Sequence, residues 1–81
     1  MNLQIIKGSF ETSDTIELLI QLVNVKIKYH EDKIDGTRNE EDIKQRENRI
    51  KQLQSELAHI KNYLAQNSNK ISLNCNVEIN N

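Results

Sequence analysis

Eight of the twelve residues from 16 to 27 are aliphatic, and their spacing is helical. Ile16, Ile20, Val23, Ile27, His30 and Ile34 recur at intervals of four and three and make one stripe. Leu18, Leu22, Val25 and Tyr29 make a second stripe, with Leu19 between the two. Only Glu17, Gln21, Asn24 and Lys28 form a narrow polar strip. A helix that is apolar around most of its girth must be covered on more than one side. The chain must therefore supply, or recruit, two separate covers for one helix.

One cover lies downstream. Ile43, Ile50, Leu53, Leu57, Ile60 and Leu64 follow 7-3-4-3-4 spacing, a single narrow seam of the coiled-coil kind, with Arg46 in the seam between Ile43 and Ile50. The rest of that segment is polar, and Glu40–Lys44 and Glu47–Lys51 have the spacing of favourable i,i+4 pairs. The pattern predicts helices over residues 14–34 and 39–66. Ser13 or Asp14 is the expected cap of the first, with Glu17 reaching back to Asp14 as in a capping box. Gly36 is expected to close it in a left-handed turn. Asn39 caps the second, followed by Glu40, Glu41 and Asp42 at the positive end of the helix dipole. So short a connection folds the helices into an antiparallel hairpin. Residues whose numbers sum to about 77 then face each other, which sets His30 against Arg46 or Glu47, and Arg46 within reach of Glu31.

The termini supply strands. Ile71, Leu73, Cys75, Val77 and Ile79 alternate with Ser72, Asn74, Asn76 and Glu78, which predicts a strand over 70–79 with one buried face. Residues 2–7 read as a shorter strand ending at Gly8. Because the hairpin returns the chain to its entry point, the two strands are expected to pair antiparallel. Two strands alone are marginal. The free edge of the last strand lacks proline and is guarded only by Lys70 and Glu78, so it is a template for another strand.

The chain has 81 residues, of which 36% are hydrophobic, so its own core is thin. The single Cys75 cannot form an internal disulfide and reads as a small apolar core residue. Self-association is the expected source of additional buried surface. The expected interface is Leu18, Leu22, Val25, Tyr29, Leu73 and Val77. Whether it works through the sheet edge or by helix-to-helix contact stays open at this point, and another protein is a possible partner. Lys and Arg number 11 against 12 Asp and Glu, without the basic excess of a counterion-displacing nucleic-acid binder. No apolar run approaches bilayer length. A lone thiol and a start unlike a secretory leader predict a cytoplasmic setting.

Chemistry-bearing residues are sparse. His30 reads as a histidine at the edge of the core stripe, bonded to Glu47 or to a backbone carbonyl, and His59 as a solvated residue. Consecutive Tyr29, His30, Glu31 and Asp32 point in different directions on a helix and make no metal site. Cys75 faces inward and lacks thiolate character. Gly8 and Gly36 are isolated, so no phosphate-cradling loop exists. The carboxylate runs compensate the helix dipole and keep the surface soluble. These residues give no expectation of a catalytic, cofactor or metal site. Lys26, Lys33, Arg46 and Arg49 are the candidate anion or nucleic-acid contacts, with a structural role as the plainer reading.

Residues 40–53 resemble coiled-coil segments and the charged helices of many small bacterial or phage proteins, which fixes no role. The expectation is a single α+β domain, β-α-α-β, with a long antiparallel helical hairpin and terminal strands paired antiparallel. It is expected to be extended or packed in a homo-oligomer and to act as an interaction or regulatory module. The alternative expectation is a nucleic-acid-associated regulator, or a structural subunit of a phage or mobile element.

Overall fold

The helical hairpin forms where the two periodic segments place it. The computed structural model describes residues 1–66 and 70–81. In chain order the elements are β1 (Asn2–Phe10), α1 (Thr12–Asp35), α2 (Glu40–Ala65) and β2 (Ile71–Glu78). The protein is α+β, with two helices and two antiparallel strands. No described helix is long and apolar enough to cross a membrane.

α1 begins two residues earlier than capping preference predicts. Its N-cap is Glu11, which makes no side-chain cap bond, rather than Ser13 or Asp14. Thr15 governs the start instead. Its backbone N–H donates to the Glu11 carbonyl at 2.9 Å and its hydroxyl donates to the same oxygen at 3.0 Å. At 1% exposure Thr15 is the most buried residue described. Only Glu11 separates β1 from α1, and burial of Thr15 at this tight junction outweighs the local preference for a Ser or Asp cap. The other end also differs from expectation. Gly36 closes α1 at φ −92° and ψ 2°, not in the left-handed region.

α2 starts as the sequence predicts. The Asn39 side chain accepts from the Glu41 and Asp42 backbone N–H groups at 2.9 and 3.2 Å. Leu53 and Leu64 of the seam are buried, and Ile43, Ile50 and Leu57 are half-buried. The first stripe of α1, from Ile16 to Ile34, is half-buried against it throughout. The described ion pairs are Asp42–Arg46 and Lys28–Asp32, in place of the expected Glu40–Lys44 and Glu47–Lys51.

β1 runs on through Gly8 to Phe10 and is the longer strand, contrary to a strand ending at residue 7. A bulge makes this possible. Gln4 pairs with Asn76 and Ile6 with Cys75, so Ile5 is an extra residue without an opposite number. A bulge inserts one residue into one strand and so shifts the phase of its alternation. Leu3, Ile6, Gly8 and Phe10 consequently lie opposite Val77, Cys75, Leu73 and Ile71 on one face. Asn2, Gln4, Lys7 and Ser9 lie opposite Glu78, Asn76, Asn74 and Ser72 on the other. The segregation of apolar from polar pairs is complete except at Gly8. There the Phe10 ring fills the gap, 3.7 Å from where a Cβ would stand.

The sheet and the hairpin do not form two full layers. α1, with 24 residues, is about 36 Å long. β1, with nine, is about 30 Å long. The molecule spans 46 × 32 × 14 Å, too short for the two to lie end to end. Helix and sheet nevertheless touch over only a small area, chiefly between α1 and β2. The radius of gyration, 15.3 Å, exceeds the value of about 12 Å usual for 81 residues.

Candidate functional site

Most of the apolar surface left uncovered falls in two patches, with Ile5 and Ile60 exposed outside them. On α1 the second stripe is covered only in its first half. Leu18 and Leu22 are half-buried, whereas Val25 is 72% and Tyr29 53% exposed. On the sheet, burial fades with distance from the helices. Ile71, Leu73 and Cys75 are half-buried, whereas Val77, Ile79, Leu3 and Met1 are exposed. Of the six residues expected at an interface, four thus lie on α1 and two on the apolar face of β2, and the single chain leaves Val25, Tyr29 and Val77 open to solvent. Leu3 and Ile79 belong with this group; the alternation already put Ile79 on the face of Val77, whereas the position of Leu3 was not legible from the spacing. Only the surplus residue at Ile5 puts Leu3 on the same face as Ile6. Tyr63, on α2, is also exposed.

Magnitude separates these patches from ordinary surface. Folded monomers of 9.5 kDa expose about 5,000 Å² on the usual scaling with mass. This chain exposes 6522 Å², roughly 1,500 Å² above that expectation. A stable protein–protein contact removes about 800 Å² from each partner, and obligate ones more. The excess is of interface size.

Around His30, near the turn end of the hairpin, lies a polar cluster. Arg46 Nη1 is 3.1 Å from His30 Nδ1, and Arg46 Nε is 3.3 Å from Asp42 Oδ2. The register rule placed His30 beside Arg46 or Glu47, and the ring meets Arg46. Arg46 pairs with Asp42 on its own helix, rather than with Glu31 across the hairpin. Its guanidinium also lies 5.9 Å from the Tyr29 ring centre, while Lys33 Nζ approaches that ring at 5.7 Å. A guanidinium can only donate, so Nδ1 is the acceptor and the neutral imidazole carries its proton on Nε2. Nε2 is buried without a hydrogen-bond partner among the described residues. The imidazole titrates below the ordinary histidine value. Burial disfavours its charged form, and Arg46, Lys26 and Arg49 add like-charge repulsion.

Three of the four candidate anion contacts, Lys26, Arg46 and Arg49, therefore act on one histidine, and the fourth, Lys33, sits over the neighbouring tyrosine. Two are already engaged, Arg46 as described and Arg49 through a 2.7 Å bond to Gln52 Oε1. Cys75 is a half-buried free thiol on the apolar face of the sheet. Among the described residues no group of three His, Cys, Asp or Glu side chains gathers as metal ligands would. An open hollow of about 320 Å³ at the start of α1 is lined by Phe10, Asp14, Glu17, Leu18 and Gln21. Its size is at the lower limit for small-molecule sites, and it is not enclosed.

Comparison of the chain with protein-family models, with curated proteins and with solved structures finds no match.

Proposed function

We propose that this protein is a small, non-enzymatic interaction module that works by associating with copies of itself through its apolar helix and sheet faces. The surface excess carries this reading. A chain that leaves roughly 1,500 Å² more exposed than its mass warrants has the area of an interface to cover. The location of that area supports it too, since Val25 and Tyr29 on α1, and Leu3, Val77 and Ile79 at one end of the sheet, lie on faces that the chain covers only in part. Light scattering on the pure protein tests it. A dimer or larger species at micromolar concentration is expected, and a monomer throughout would overturn the proposal. Val25→Lys places a charge where the single chain is already solvated. It is expected to lower the mass while circular dichroism keeps its helical signal.

The convergence of Lys26, Arg46 and Arg49 on His30, with Lys33 over Tyr29, favours one second reading, a nucleic-acid-associated regulator. Electrophoretic shifts at low salt that vanish steeply as salt rises would support it. No shift at low salt would dismiss it.

A further inference from the structure

We infer that the second copy joins at the free edge of β2, with a twofold axis passing between the two Cys75 residues, to make a four-stranded sheet. This rests on the self-association reading and specifies its geometry.

The direction of the backbone groups comes first. Ile79 donates its N–H to the Met1 carbonyl at 2.7 Å and accepts from the Met1 amino group at 3.1 Å, so both of its polar groups face β1. Alternate residues of a strand aim their N–H and C=O groups to alternate sides. Val77, Cys75, Leu73 and Ile71 therefore face β1 as well. Ser72, Asn74, Asn76 and Glu78 present their backbone groups to the open edge. All four are exposed, and no other described strand pairs with that edge of the two-stranded sheet.

Register follows from which side chains would be matched. Twofold antiparallel pairing must set like faces together, so paired residue numbers add to an even total. A total of 150 pairs Ile71 with Ile79, Leu73 with Val77 and Cys75 with Cys75 on the apolar face. It pairs Ser72 with Glu78 and Asn74 with Asn76 on the polar face, bonded through the outward groups. A total of 148 leaves Ile79 beyond the end of β2 without an apolar partner, and gains an exposed Lys70–Glu78 pair of the kind worth little. The first register matches every apolar residue from Ile71 to Ile79. It also brings the exposed end of each sheet against the half-buried end of the other.

The helices complete the arrangement. α1 leaves β1 and packs against β2 rather than turning away from it, on the side of the half-buried residues Ile71, Leu73 and Cys75. In the proposed dimer α1 runs on across the twofold, its advance of about 10 Å from Thr15 to Leu22 matching two strand spacings. Its continuing stripe of Leu22, Val25 and Tyr29 then lies over the partner's exposed rows. One association thus covers both uncovered patches reciprocally, as a twofold interface requires.

Cys75 reports the register. In this pairing the two cysteines form a pair without hydrogen bonds, whose Cα atoms stand about 4.5 Å apart, within disulfide range. Oxidation of the full chain with copper–phenanthroline, read on non-reducing gels, is expected to convert it to a disulfide dimer. The double variant Asn74→Cys/Cys75→Ser is expected to stay uncrosslinked, because its cysteines are offset by two residues. Asn76→Pro removes an outward N–H that β1 does not use. It is expected to abolish the dimer in light scattering with the helical signal retained. Crosslinking of the double variant but not of the parent would overturn the register. A dimer by scattering that neither crosslinks through Cys75 nor yields to Asn76→Pro would overturn edge pairing while leaving self-association intact. A monomer would overturn both.

Discussion

Thr15 and His30 show how single side chains settle matters that sequence patterns leave open. Helix-capping preference points to Ser13 or Asp14, yet Thr15 folds back on Glu11 and is fully enclosed. Thr15→Val keeps the shape and removes the hydroxyl bond, so it should cost about 1 kcal/mol, the usual net worth of such a bond. Urea denaturation measures this. For His30 the sign of the pH effect follows from the direction of its shift. A lowered value in the folded state means that the unfolded chain binds more protons on this ring, so stability rises with pH. The contribution is complete above the unfolded value near 6.5 and is lost as pH falls through the lower folded value. The urea midpoint should fall between pH 7 and pH 5, and His30→Gln should flatten that fall. An equal slope in the variant would assign the effect to other groups. The register of the hairpin was enough to bring His30 to Arg46 or Glu47. Choosing between them depended on side-chain reach, which spacing does not encode.

At the scale of elements, legibility followed periodicity. The seam from Ile43 to Leu64, the alternation from Ile71 to Ile79 and the Asn39 cap could all be read because each repeats a fixed interval or occupies a fixed offset. Asn39→Ala should cost about 1 kcal/mol of stability, within the usual range for a lost cap. It should also reduce helical ellipticity at the start of α2, and a change below a few tenths of that figure would contradict the bonds to Glu41 and Asp42. β1 resisted reading for the opposite reason. One unpaired residue, Ile5, shifts the phase of its alternation, so no single period describes residues 2–10. Removing Ile5 altogether should leave every observed β1–β2 pair in place, and a chain lacking it should keep its strand signal in circular dichroism. The interface residues were partly legible. The second stripe of α1 showed directly in the spacing of Leu18, Leu22, Val25 and Tyr29, whereas the exposed end of the sheet depended on how far the hairpin reaches across it.

At the scale of the whole molecule, three buried residues among those described are a small core for 81. Stability drawn from a partner grows with concentration by mass action. The thermal midpoint should therefore climb as protein concentration is raised, and a midpoint indifferent to concentration would mean that the chain stands on its own contacts. The breadth of the molecule has a consequence for scattering. A radius of gyration of 15.3 Å is about what the usual scaling gives a well-packed chain of twice this length. Two copies side by side would double the forward X-ray intensity per unit mass, while the squared radius of gyration would grow only by the square of half the distance between their centres. Dilution would then change how brightly the particle scatters far more than how large it looks.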